Sequence, residues 1–384
     1  MGQDLENIIL SLINLKREGE YWDFKEKFYS NKANLVHDII CMANNRADRD
    51  TYIIFGVRDE DFEIVRIEND LNRKTQQQFI DVLKSKKFIG GIRPIIELRN
   101  LFIKNHEVDV LIIKNTNETP YYLVENYKEQ NRTVRAQYIC TRVGDTNTNI
   151  NKGADINQVE YLWRKRFLLD KPPLEQIKNK LRNKDEWVRE DNTFYNRFNP
   201  EYRVELEDDD YDKERLEFYS FAMMNQSTRY GTIVIKCYET KLYSDQFVIL
   251  DSGRYVTTVP NWEFIRFGNY KPDYDYCFKY FLKDSINYVL HEFLAEENEE
   301  ALYASRRFSN VVLTFENKDE KDKYMNYILC NKSVFEELMQ SELKKNTYEW
   351  IECTNQTAKK ENIKRLITGK VLIEMYKSFR KIEM

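Results

Sequence analysis

EGEYWDFKEKF at residues 18–28, HDIICMANN at 37–45 and TYIIFGVRDED at 51–61 belong to one stretch, and its reading decides the fold. In YWDFKEKF the side chains alternate as in a short strand, with Trp22 and Phe24 on the face opposite Asp23 and Lys25. From Asn31 to Asn45, Leu35, Ile39 and Met42 recur at helical spacing, and the turn formers of NNRADRD end the helix. TYIIFGV is apolar, β-branched and aromatic, as a strand buried on both faces requires. Gly56 then lets the backbone bend into an acidic turn. Acidic side chains stand at both ends of the stretch: Glu18, Glu20 and Asp23 around the first strand, Asp59 and Asp61 after the second. Pairing the two strands brings distant carboxylates together. Hard divalent cations take such oxygen ligands, and a metal so held can assist phosphodiester cleavage.

Working outward, MGQDLENIILSLINLKREGE reads as an amphipathic helix with Leu5, Ile8, Ile9, Leu12 and Leu15 on one face. Charges interrupt it and no small-residue cleavage site follows, so it does not read as a signal peptide. MGQDLE lacks the Ser or Thr of a myristoylation signal, and no apolar run reaches the length of a membrane span. The expectation is a cytoplasmic protein. Downstream, RKTQQQFIDVLKSKKF predicts a second helix, Ile95–Ile103 and Val108–Ile113 predict strands, TPYYLV another strand, and 154–167 a helix with Val159, Trp163 and Phe167 inward. Pro172 and Pro173 mark a boundary, dividing the chain into a first domain at 1–168 and a second at 174–384.

The second half predicts helix over Leu174–Val188, strands at Tyr202–Glu207, Gly231–Tyr238, Gln246–Leu250, Asn261–Phe267 and Val311–Phe315, and a helix carrying Phe278, Phe281, Ile286, Val289 and Phe293. The class is α+β in both halves. ELEDDDYD around Glu207–Asp212 lacks EF-hand spacing and reads as a solvated strand end. The basic C-terminal helical segment carries Ile, Leu and Met where packing against its domain wants them.

Composition bounds the rest. With 384 residues, 42% hydrophobic and 32% charged, and 11 Gly and 7 Pro, the chain is a folded protein with little low-complexity sequence. The net charge of −4 advertises no polyanion partner, yet 60 Lys plus Arg against 64 Asp plus Glu leave material for one basic face. Cys41, Cys140, Cys237, Cys277, Cys330 and Cys353 form no CxxC and have no His at ligand spacing, which argues against zinc and for reduced, mostly buried thiols. His37, His106 and His291 read as packing or surface residues. No G-x-x-x-x-G-K-[ST] loop occurs, so no nucleotide cofactor is expected. RTVRAQYICTRVGDTNT sets Arg132, Arg135 and Arg142 near strand ends and Gly144 in a turn, a pattern suited to phosphate contacts and equally to a hairpin with surface arginines.

Glu18-x4-Asp23-Phe24-Lys25, a helix ending in MANN, YIIFGV with Asp59 just beyond, PYYL and ICTRVGDTNT follow in an order that resembles the Schlafen AlbA_2 domain. That family shows an E-x4-E-F-K motif, a GVxD motif and a late Arg-x-Gly turn, and the resemblance runs over roughly residues 15 to 167. Two departures stand out: Asp23 replaces the usual Glu, and ADRD at Ala47–Asp50 replaces a glycine pair. The resemblance implies an N-terminal mixed sheet with flanking helices and a metal-dependent endoribonuclease acting on tRNA and rRNA. Carried over, Glu18, Asp23 and Asp59 become ligands of Mg or Mn, and Lys25 the charge-stabilising lysine, with Asp61 and Glu20 in reserve. Mammalian members carry zinc, which nothing in this sequence supplies, and build a groove from two lobes. One copy of the motifs here implies a homodimer around structured RNA; the class of RNA-cutting enzyme that the resemblance implies adds the expectation of a regulatory partner and of a role in phage defence or growth arrest. The competing reading is a non-catalytic nucleic-acid-binding protein or transcriptional regulator; a third is an interaction module with vestigial acids.

Overall fold

The computed structural model describes residues 2–208, 216–268, 274–345, 348, 351 and 356–383. It divides into two compact units, Met1–Lys171 and Pro172–Met384. Among the described residues no helix is long and apolar enough to cross a membrane.

In the first unit, α1 (Gly2–Asn14) leads to β1 (Trp22–Lys25), α2 (Lys32–Ala43) and β2 (Thr51–Phe55). Next come α3 (Gln76–Lys84), β3 (Ile96–Ile103) and β4 (His106–Ile113). Short strands β5 (Tyr127–Glu129), β6 (Arg132–Val134), β7 (Arg142–Val143) and β8 (Thr146–Asn147) precede α4 (Ile156–Arg166). The main sheet has the order β1-β2-β4-β3. β1 and β2 are parallel, with Asp23 opposite Ile53 and Lys25 opposite Phe55, and α2 is the crossover that parallel pairing demands. β2 is buried at all five positions, because each face of the sheet has its own cover. Ile53 and Phe55 pack under α2 and α3. Tyr52 and Ile54 pack with Trp22 and Phe24 on the α1 side. Asp23 and Lys25 therefore point toward α2, from the edge strand of the sheet.

Four expectations are corrected here. α1 buries Ile9, Leu12 and Ile13, while Ile8 and Leu15 are exposed, because a one-sided contact uses a narrow stripe and Leu15 lies past the helix end. TPYYLV is no strand: it makes one isolated bridge, Leu123 to Phe88, and the Tyr121 N–H donates to Asn44 Oδ1 instead. In α4 the inward residues are Leu162 and Lys165, and Phe167 is exposed. Arg142 is buried rather than superficial.

The second unit opens with α5 (Pro173–Lys180) and a six-stranded antiparallel sheet. Its strands are β9 (Trp187–Glu190), β10 (Thr193–Asn196), β11 (Tyr202–Asp208), β12 (Thr228–Cys237), β13 (Thr240–Leu250) and β14 (Tyr255–Thr258). The helix expected through Val188 thus stops at Lys180, and Trp187 begins a strand. β15 (Asn261–Ile265) and β16 (Tyr276–Leu282) pair antiparallel, and after α6 (Ile286–Leu294) and α7 (Glu299–Ser309), β17 (Leu313–Phe315) joins β16 in parallel. Phe278 and Phe281 belong to β16, not to a helix: YCFKYFL is aromatic-rich and buried as a strand. The helix starts only where Ser285 caps it by accepting from the Tyr288 N–H. α8 (Lys318–Cys330), α9 (Lys332–Lys344) and α10 (Gln356–Glu383) complete the unit. α10 buries Leu366, Ile367, Val371, Leu372, Met375 and Phe379 in the core. Of the acidic run, Asp209–Asp212 lie outside the described residues.

Candidate functional site

The site grows from the edge strand. Asp23 is 2% exposed, and a carboxylate taken that far from water needs compensating charge. Two cations supply it. Lys25 Nζ lies 2.5 Å from Asp23 Oδ2, and an Arg142 terminal nitrogen lies 3.1 Å from Oδ1. The Lys25 ammonium is the one group set against Asp23 Oδ2 among the described residues. Glu18, six residues before Phe24, folds back on the strand: one carboxylate oxygen accepts the Phe24 N–H at 2.9 Å and the other meets Arg142 at 3.2 Å. Burial first, and then the charge of Asp23, push the Glu18 carboxyl above the usual range.

Arg142 is the hub. It is 1% exposed and also donates to Gly19 O at 2.8 Å, Trp22 O at 3.2 Å and Asn147 Oδ1 at 3.0 Å. Two of those carbonyls flank the open edge of β1, so the guanidinium covers polar backbone that an edge strand otherwise leaves bare. A fork of five donors suits this task, and a lysine has no such geometry. The network continues: Asn147 Nδ2 donates to Asp38 Oδ1 at 3.0 Å, and the Tyr29 hydroxyl donates to Asp38 Oδ2 at 2.6 Å. His37 Nδ1 lies 3.2 Å from Asp38 Oδ1, and its Nε2 lies 3.6 Å from Cys41 Sγ. Burial works against the Lys25 ammonium, but Asp23, Asp38 and Glu18 together raise its pKa.

The expected acids thus separate into two groups. Glu18, Asp23 and Lys25 come together around Arg142. Asp59 stands exposed on the turn after β2, and among the described residues no hydrogen bond or ion pair joins it to Glu18 or Asp23. Asp61, on the same turn, pairs with Arg58 at 2.6 Å. Among the described residues no group of three His, Cys, Asp or Glu side chains is set to hold a metal ion. Arg132 and Arg135 are exposed on and beside the β5–β6 hairpin, Arg135 over the Tyr138 ring, whereas Arg142 has its donors turned inward.

Sequence reading missed Asp38, Tyr29, Asn147 and Asn44. Asn44 is the third residue of MANN, and its amide donates to Tyr121 O at 2.7 Å and Cys140 O at 2.9 Å. It ties the loop that carries Arg142 to the end of α2, which gives the spaced motifs a physical reason to travel together. A buried Asn just past a helix end was the available signal.

Fold and site define an α+β domain with an acid pair, one member buried and the other half-buried, clamped by one arginine and one lysine at the edge of a mixed sheet. Residues 18–151 match the model of the Schlafen, AlbA_2 family, so the first unit carries a Schlafen AlbA_2 domain, a family tied to work on nucleic acids. No curated protein matches the chain. Among solved structures, the DIP2311 protein from Corynebacterium diphtheriae is similar at 15% identity with a TM-score of 0.27, over 43% of this chain and 33% of that one. A likeness that slight carries no argument.

Proposed function

We propose that this protein is a metal-dependent endoribonuclease that cuts structured RNA such as tRNA, with its chemistry at Glu18, Asp23 and Lys25. The supporting observation is the Asp23 carboxylate, buried with one oxygen facing only the Lys25 ammonium. Hydrophobic residues of similar size would often be no less stable than a buried ion pair, so retained charge calls for a use. Magnesium is commonly held by one or two carboxylates plus substrate phosphates and water, so Glu18 and Asp23 fit it without a third acid. When bound, such an ion polarises a phosphoryl oxygen and lowers the pKa of a coordinated water. Arg142 fixes the two carboxylates in one orientation. Lys25, drawn off Asp23 by the approach of a phosphate, stabilises charge that builds in the transition state. Two copies framing one RNA stem is the assembly proposed, and light scattering at working concentration tests it.

The test is incubation of the full chain with total tRNA, and separately with single- and double-stranded DNA, in Mg, in Mn and in EDTA, beside Asp23→Asn and Glu18→Gln. Cleavage of tRNA that needs metal and falls by orders of magnitude in both variants is the expected result. Intact RNA in every lane overturns it. A second reading, a nucleic-acid-binding protein without catalysis, draws on Asp59 standing apart from an acid pair already balanced by two cations. It predicts RNA binding that neither variant changes and no product under any condition.

A further inference from the structure

On the first unit, the start of α2, the loop before α3 and the end of α3 enclose a cleft of about 460 Å³, lined by Lys32, Arg73, Lys74, Lys86 and Tyr127 among others. Its cations differ in how they are employed. Arg73 is consumed by Asp109, at 2.7 Å, and by Glu107, at 2.5 Å. Among the described residues the other three ammonium groups form no ion pair with any carboxylate. Lys74 donates only to the carbonyls of Asn72, at 2.9 Å, and Tyr29, at 3.4 Å. Lys86 lies over the Tyr127 ring, 3.5 Å from its centroid. The acids close by are engaged elsewhere: Glu129 caps the backbone of Lys32 and Ala33, and Asp81 accepts from Gln77 at 2.9 Å. Burial, and after it the charge of Lys32, lowers the Lys74 pKa; Lys86 is lowered by burial first, with Lys32 adding to it against the pull of Glu129. Three like charges share one cleft, and although Asp70 and Glu129 lie near enough to be felt, no carboxylate among the described residues pairs with any of the three; a ligand that carries several anionic groups relieves that repulsion.

We propose that this cleft receives the phosphodiester backbone of the RNA whose neighbouring nucleotides reach Glu18 and Asp23. Tyr29 joins the two places: its carbonyl accepts from Lys74 and its hydroxyl donates to Asp38, the residue linked through Asn147 to Arg142. The cations are spread over three segments, which suits successive phosphates along a strand better than one small anion. The cleft rests on the reading of this domain as one that acts on RNA, and its test is arranged to fail separately.

Binding of a fluorescein-labelled RNA hairpin to the full chain is titrated in EDTA, where cleavage plays no part, over a range of KCl. Each phosphate contact removed takes roughly 0.7 to 0.9 from the slope of log K against log salt. The variant K32A/K74A/K86A is expected to lose about 2 to 3 from that slope and to bind at least about tenfold more weakly at low salt. K32R/K74R/K86R should keep the slope, which separates charge from folding. K16A/K104A/K152A, the same charge change at exposed lysines elsewhere, should leave it nearly unchanged. An unchanged slope in the first variant overturns the cleft while leaving the nuclease reading intact, and an equal loss in the last variant does the same. A wild-type chain that binds no RNA overturns both.

Discussion

Replacing Arg142 by Met removes the hub while keeping most of its volume, and the size of the loss follows from its contacts. The guanidinium serves two backbone carbonyls, one amide and two carboxylates, and it and Asp23 are shut away from water while Glu18 is partly open to it. Removing one partner of a buried ion pair costs about 3–5 kcal/mol, because the remaining charge is left uncompensated. Whole domains are stable by about 5–15 kcal/mol, so the first unit of the variant is left marginal. Urea titration read through hydrogen exchange of β1 and β2 amides separates this unit from the second. The pH dependence is the sharper part. The Glu18 carboxyl is raised in the folded state by burial and then by Asp23, with Arg142 opposing, so the variant raises it further. A carboxyl raised on folding takes up its proton more readily in the native state, and its stabilising contribution is present below its ordinary value and lost as pH rises through the folded one. The gap between wild type and variant therefore narrows as pH falls from 7 to 5. A loss under about 1 kcal/mol at pH 7, or an equal gap at both pH values, refutes the view of Arg142 as charge compensation.

Two more predictions concern the second unit. His291 is buried against Phe281 with Nδ1 2.7 Å from the Thr257 hydroxyl, and burial, then Lys184, lower its pKa to about 4. A base lowered on folding contributes stability above its unfolded value of 6.5 that is lost as pH falls, about 2 kcal/mol by pH 5 and about 3 by pH 4. His291→Gln should flatten that part of the urea-midpoint profile; an unchanged profile sinks it. Gly369, inside α10, allows the helix to approach the Val311 backbone so closely that a Cβ would meet the Val311 carbonyl oxygen at 2.3 Å. Gly369→Ala is expected to cost about 1–3 kcal/mol despite the better helix propensity of Ala, and a variant that melts higher than wild type contradicts the close approach.

What the chain reveals before folding depends on how local the cause is. β1, α2 and β2 are legible because alternation, helical period and an all-apolar run are written within a dozen residues each. Phe278 and Phe281 misled because an aromatic strand joined to an amphipathic helix reads as one longer helix until Ser285 is noticed as a cap. The site was half legible. Glu18, Asp23 and Lys25 share a short segment, and alternation alone puts Asp23 and Lys25 on one face. Arg142, Asp38 and Asn147 join them only through tertiary packing, for which one sequence carries no period. An arginine near a Gly turn reads as surface because arginines seldom bury fully. Its burial here depends on acceptors over 100 residues away.

That distance has a consequence for how the protein is made. The clamp on the first strand is supplied from positions 120 to 124 residues downstream of its partners. Closing so long a loop adds only about 2 kcal/mol of entropy over one of 15 residues, since each doubling costs about 0.6 kcal/mol. Timing is affected more. A chain synthesised only through Ile113 already holds every strand of the main sheet, yet its β1 edge lacks the guanidinium that covers it and Asp23 lacks its arginine. Until residue 142 emerges, the nascent sheet is open to a strand from a neighbouring chain, so slow translation across 114–142 is the interval in which aggregation competes with folding.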